Sequence, residues 1–272
     1  MRICRSAVIL LIGMTACGSG SSSDSSGSAV APSSVSPLAV FESPTPPLQV
    51  PNYRTSGTYP QVSSSKVRLK AVNAALRNGV LRAQRQYAAF VWREYGSAMP
   101  ELFRPNYPYS GEYRTSPMLS LISASTVVVS ALIPVRQLLP GGTGGATWLS
   151  VTVQVPSGAP VGIRDLFAQP ARGLRALATA VRRKVLSTNS CIRASFRDPV
   201  GGALNARGFD PTPSNYRYFA LTASGLAIGF PIEQVGGASC GSVQTRVPYT
   251  VVHPYLSELG RKLVAGVRAP QR

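Results

Sequence analysis

The chain has 272 residues, with 28 Lys or Arg against 10 Asp or Glu and one His, a net charge of +18. So few carboxylates, scattered along the sequence, argue against a paired-carboxylate active site. One histidine and four cysteines leave little from which to assemble a four-ligand zinc site. No stretch approaches the ~20 unbroken apolar residues that a membrane-spanning helix needs.

The first residues read as a targeting segment. Arg2 and Arg5 precede an apolar run of eleven residues, Ser6 to Ala16. A helix of that length covers roughly 16 Å against a hydrocarbon core of about 30 Å, so residues 1–16 are expected to be a signal peptide. Met14-Thr15-Ala16-Cys17 resembles the lipobox of exported bacterial lipoproteins, in which the cysteine is lipidated and becomes the first residue. The alternative is an ordinary signal peptide cut near Ala16, with Cys17 incidental. Acyl chains bury CH₂ groups at roughly 0.8 kcal/mol each and hold stably when there are two, which makes Cys17 a candidate membrane anchor.

From Gly18 to Val50 the composition is Ser, Gly, Pro and Ala, with Asp24 and Glu42 as the charges. Such a segment buries too little apolar surface to offset its ordering entropy, so residues 17–50 are expected to be a lipidated cysteine and a disordered tether. Residues 51–272 are then one domain. That length buries roughly 70% of its unfolded surface.

Within the domain, Ser65 to Tyr95 predicts a long amphipathic helix. Val72, Leu76, Val80, Ala83, Tyr87 and Phe90 or Val91 recur at steps of three and four, while Lys66, Lys70, Arg77 and Arg85 lie elsewhere. The β-branched runs between Tyr113 and Arg136 suit strands, and TWLSVTVQV, Thr147 to Val155, alternates as a half-buried strand. Between them PGGTGGA, Pro140 to Ala146, lacks the GK[ST] of a phosphate-binding loop and reads as a flexible turn. Arg172 to Leu186 predicts a second helix with Leu174, Leu177, Val181 and Val185 on one face. YRYFALTA and LAIGF, either side of Ser224-Gly225, predict a hairpin. A strand at Val243 to Val247 and a last helix at Pro254 to Val267 follow, with Pro254 in the first turn. Helices and antiparallel strands without a βαβ rhythm define an α+β class: a mixed, mainly antiparallel sheet packed against two or three helices.

Cys4 leaves with the signal peptide, and Cys17 is assigned to lipid. Cys191 and Cys240 remain as an even pair in an exported domain, which reads as a disulfide. Closing a loop of about fifty residues contributes roughly 4 kcal/mol in the chain-entropy picture. A metal or thiol site is the competing reading, in which His253 could join the two sulfurs.

Gly237-Ala238-Ser239-Cys240-Gly241 matches G-x-S-x-G, the nucleophile elbow of α/β-hydrolases, which would make Ser239 an ester-cleaving nucleophile. The elbow needs a strand before the serine and a helix after it, whereas SVQTRVP reads as a strand. The carboxylates Glu94, Glu101, Glu112, Asp165, Asp198, Asp210, Glu233 and Glu258 are spread along the domain and read mostly as partners for the excess arginines. No catalytic, metal or cofactor site assembles from these residues.

YPQVSSSKVRLKAVNAAL, GEYRTSPMLSLISAS, TWLSVTVQVPSGAPVGIRDLF and YRYFALTASGLAIGFPIEQVGG followed by SVQTRVPYTVVHPYL occur in an order that resembles a known family. It is the DUF3298-type extracellular domain of lysozyme-sensing anti-sigma factors. The pattern is also similar to the non-catalytic part of some peptidoglycan deacetylases and to a secreted mycobacterial immunogenic antigen. The resemblance covers most of Pro51 to Val267 and implies an α+β fold and ligand binding without chemistry. An anti-sigma role needs a spanning helix, and none is expected here. The basic lysozymes of the common animal type would be repelled by a +18 surface.

Of the 28 basic residues 24 are arginine, whose planar fork makes bidentate contacts to phosphate and carboxylate. Outside a membrane, the matching partners are anionic lipid headgroups, phosphorylated or uronic-acid glycans and wall polymers; the compartment argues against nucleic acid. The expectation is a monomeric lipoprotein on the extracytoplasmic face of the cell membrane that binds an envelope component or partner protein non-catalytically. The alternatives are a sensor or inhibitor domain acting through a partner protein, and an envelope esterase using Ser239.

Overall fold

The computed structural model of the chain describes residues 38–65, 67–104, 106–116, 120–140, 142, 144–197 and 202–268. The expected signal segment with Cys4, the expected lipidation site Cys17 and the expected tether as far as residue 37 lie outside these residues.

The ordered chain begins earlier than Pro51. Strand β1 (Ala39–Pro44) pairs antiparallel with β3 (Thr58–Ser63), Ala39 opposite Ser63 and Pro44 opposite Thr58. Leu38, Leu48 and Val50 are buried, and the Gln84 amide donates to the Pro46 carbonyl. Residues 38–50 therefore belong to the domain, which corrects the tether boundary. The segment's prolines and serines conceal three apolar anchors spaced too irregularly to register as a strand or helix.

The main sheet has five strands: β2 (Tyr53–Ser56), β4 (Gly111–Thr115), β5 (Leu121–Ala124), β6 (Val128–Leu138) and β7 (Gly144–Gln154). β7 pairs antiparallel with β6 along its whole length, while β5 and β4 pair with successive halves of the other edge of β6. β2 lies parallel to β4, which makes the sheet mixed. Both faces of β6 are covered, so VVSALI at its start is buried residue after residue rather than alternating.

On one face lies α1 (Lys70–Val91). Its buried positions are Val72, Leu76, Val80, Gln84, Tyr87 and Val91. Of the sequence's two candidates at its end, Val91 is the buried one and Phe90 is exposed. A Cβ at Gly79 would stand 2.4 Å from Val151 of β7, so glycine lets the helix press onto the sheet. The Asn73 side chain bonds both backbone groups of Val62 at 2.9 Å, fastening α1 to β3.

On the opposite face sits a three-stranded antiparallel sheet of β8 (Phe219–Thr222), β9 (Gly225–Phe230) and β10 (Val243–Val247), in the order β10-β9-β8. Ala220, Ala227 and Gly229 point at the main sheet, where Leu132 and Trp148 meet them. Leu221, Leu226, Ile228 and Phe230 point outward into a second core built with α2 (Pro170–Thr188) and α6 (Glu258–Arg268). Small residues face inward and large ones outward, so the two sheets can approach closely. α1 and α2 thus lie on opposite sides of the main sheet.

Two expectations need adjusting. The last helix starts at Glu258, because Pro254 falls in a 3₁₀ turn (His253–Tyr255) after the short α5 (Tyr249–Val252). Ser257 then caps α6, its Oγ accepting from the Gly260 N–H at 2.9 Å. Gly144 to Ala146 of the expected turn are instead the first residues of β7. The remaining short helices are α3 (Ser190–Ser195) and α4 (Gly202–Arg207).

Candidate ligand-binding cleft

A cleft of about 710 Å³ opens between the C-terminal half of α1 and the first half of β7. Small side chains are among those that line it: Gly79 and Ala83 on the helix, Gly145 and Ala146 on the strand. Leu149, Tyr87 and Tyr113 form its buried floor. The segment before β8 supplies Arg217 and Tyr218, and the segment after β9 supplies Pro231 and Ile232. An Ile232 N–H to Ala146 carbonyl bond of 3.0 Å ties that last wall to β7.

The polar groups of the cleft are cationic or neutral. Arg82 and Gln86 project from α1, Gln137 comes from β6, and no carboxylate is among the lining residues. The Arg217 guanidinium lies over the Tyr218 ring, 4.6 Å from its centroid, and donates to the Ser214 carbonyl at 3.2 Å. Stacking and this hydrogen bond hold the cation before any ligand arrives. Trp148 is pinned as well, its indole N–H donating to the Phe230 carbonyl at 3.1 Å. Burial pushes the Tyr87 phenol far above the usual tyrosine range, reinforced by its 3.3 Å contact with the Tyr53 hydroxyl. Burial raises Tyr113 too. Both remain protonated throughout the physiological range, so the charge of the cleft is set by Arg82 and Arg217.

No family model and no curated protein matches the sequence. Solved structures do. A DUF3298 family member from Bacteroides fragilis superposes with a TM-score of 0.51 at 11% identity, over 87% of this chain and 99% of that one. A DUF3298 family protein from Pseudomonas aeruginosa gives 0.50 at 10% identity, over 82% and 95%. The chain has the DUF3298 fold.

Within this DUF3298 fold the residues singled out by sequence fall in separate places. Cys191 and Cys240 are joined as a disulfide with Cα atoms 5.6 Å apart, linking α3 to a 3₁₀ turn (Ala238–Cys240). Ser239 sits in that turn, with Gly241 at φ +67° after it and β10 beginning at Val243. The strand–serine–helix geometry of a nucleophile elbow is therefore not formed at Ser239. His253 lines a small cavity of about 210 Å³ with Tyr249 and Arg268, and Ser239 is not part of it. Among the described residues, no cluster of three His, Cys, Asp or Glu could hold a metal ion.

Glu94 pairs with Arg93 at 2.7 Å and Glu112 with Arg136 at 3.6 Å; these are the ion pairs among the described residues, so most of the carboxylates are not the arginine partners expected. Asp165 instead accepts from the Gly162 backbone N–H at 2.7 Å, and Asp198 lies outside the described residues. The cleft residues Arg82, Gln86, Gln137, Arg217 and Tyr218 carry no sequence motif. The alternation of Tyr216, Arg217 and Tyr218 does not mark the cleft either, since Tyr216 is buried against Phe230 and the cation meets Tyr218 alone.

Proposed function

We propose that the protein is a lipid-anchored surface lipoprotein whose DUF3298-type domain binds an anionic envelope component, non-catalytically, in the cleft between α1 and β7. Residues 1–16 act as the signal peptide, Cys17 takes the acyl chains, and a short tether to residue 37 carries the domain on the extracytoplasmic face. The observation that carries the binding reading is Arg217, stacked on Tyr218, held by Ser214 and open to a cleft without carboxylates. Tyr218 and Phe90 offer faces for the apolar side of a sugar ring, while Gln86 and Gln137 offer amides for its hydroxyls. An acidic glycan has both kinds of group.

The test uses the chain from Gly18 to Arg272, oxidised, with cell-envelope fractions and with uronate oligosaccharides and neutral oligosaccharides of equal length. Uronate binding that persists from about 50 to 500 mM salt and falls about 100-fold in R82A/R217A supports the cleft. Equal affinity for the neutral oligosaccharides, or no loss in the double variant, refutes it. Ser239→Ala should bind like the parent chain. Lipidation is read separately: labelled palmitate should enter the full chain and be absent from C17A, which should appear in the medium.

A further inference from the structure

The outer face of α2 presents a second, independent anion-binding feature. Arg172, Arg175 and Arg183, with Thr179 between them, follow one another at steps of three, four and four and lie along one exposed stripe. They line a groove of about 610 Å³ whose other wall is Val251 and Tyr255. From Arg172 to Arg183 the stripe runs about 16 Å at 1.5 Å per residue.

The stripe works against its own helix. α2 contains no acidic residue, and its first turns, where the helix dipole favours anions, hold two of the arginines. The ion pairs among the described residues are Arg93–Glu94 and Arg136–Glu112, so none of the three arginines is neutralised by a carboxylate there. Three like charges along one stripe, uncompensated and with two of them at the wrong end of a dipole, break a local rule with no gain inside the fold. A complementary anion outside the fold supplies that gain.

We infer that this groove binds a linear phosphodiester polymer, with successive phosphates gripped by Arg172, Arg175 and Arg183. A guanidinium fork matches two oxygens of one phosphate, and guanidinium groups set in a row match a chain that repeats its charge. The feature is a walled line rather than a plane, which suits an extended chain better than a sheet of headgroups. The chain also enters the domain at Leu38, packed with Val72 and Leu76 on the α1 side of the main sheet. The arginine stripe lies on the other side, away from the tethered end.

Binding of the Gly18–Arg272 chain to poly(glycerol phosphate), monomeric glycerol phosphate, polygalacturonate and phosphatidylglycerol-containing vesicles tests this. The polymer should bind far more tightly than its monomer. R172A/R175A/R183A should weaken it about 30-fold at about 0.1 M salt and reduce the slope of log affinity against log salt by about two. R68A/R77A/R85A removes the same charge from the opposite side and should cost less than about threefold, and neither variant should unfold below the parent temperature. R172K/R175K/R183K keeps the charge but not the fork and should fall between. Equal losses in the two alanine triples would reduce the effect to net charge and overturn the proposal. Polygalacturonate binding to R82A/R217A, in which the cleft is disabled, as tightly as the phosphate polymer would overturn the phosphodiester assignment. Vesicles binding in place of the polymer would overturn both. The cleft variant R82A/R217A should cost phosphate-polymer binding no more than R68A/R77A/R85A does, which separates this site from the glycan cleft.

Discussion

The Ser150 hydroxyl bonds both backbone groups of Phe219, donating to its carbonyl at 2.6 Å and accepting from its N–H at 3.1 Å. β8 is an edge strand, and a side chain of the main sheet stands in for the neighbour it lacks. Ser130 does the same for the Leu221 N–H at 2.9 Å while bonding Thr152 at 2.7 Å. Ser150→Ala should therefore cost about 2–4 kcal/mol, because two partly or fully buried backbone groups lose their partner. Ser130→Ala should cost about as much, and the urea midpoint of each variant reads the loss.

Across the same seam, a Cβ at Gly229 would stand 2.6 Å from the Trp148 indole. Gly229→Ala should destabilise the fold by about 1–3 kcal/mol through overpacking. Trp148→Ala should cost about 3–5 kcal/mol through the cavity it opens. The double variant should recover part of the sum, since the clash disappears with the ring. A thermodynamic cycle from chemical unfolding checks the coupling.

Reduction of Cys191–Cys240, separated by 49 residues, should lower stability by about 2–4 kcal/mol. The C191S/C240S variant should show the same shift without reductant. Unfolding midpoints with and without reductant measure it.

The phenols of Tyr53, Tyr87, Tyr113, Tyr216 and Tyr249 are all raised in the folded protein, in each case first by burial. Above the ordinary tyrosine value of 10.0 the unfolded chain releases these protons and the folded chain holds them. Stability is therefore untouched by these groups below about pH 9 and falls above pH 10, by up to about 1.4 kcal/mol per pH unit per phenol. Urea midpoints across that range should fall with rising pH, with phenolate absorbance increasing as the chain unfolds.

Chains starting at Gly18, Leu38 and Pro51 locate the folded boundary. The first two should unfold at the same temperature. The third lacks β1, Leu38, Leu48 and Val50 and should lose several kcal/mol, as each buried aliphatic side chain contributes about 1.5–3 kcal/mol. Equal stability of all three would return residues 38–50 to the tether.

How much of this was legible in the sequence follows from where periodicity survives. α2 keeps Leu174, Leu177, Val181 and Val185 on one face and stands where expected. The β8–β9 hairpin does too, its two-residue turn falling at Ala223-Ser224 because Thr222 pairs with Gly225. β1 did not announce itself, since most of AVFESP is exposed at a sheet edge and holds on through backbone pairing. The cleft had no signal at all. It is lined by residues from α1, β6, β7 and the segments flanking β8 and β9, which come together only once the chain has folded.

The inward line of Ala220, Ala227 and Gly229 sets unequal limits on how this sequence can diverge. The helix faces tolerate any apolar set of similar volume, so they can drift until little identity remains. The line against Trp148 accepts almost nothing larger than what is there. Distant members of the fold are thus better sought by a rhythm of small residues alternating with large ones on two adjacent strands, opposite a tryptophan, than by overall resemblance.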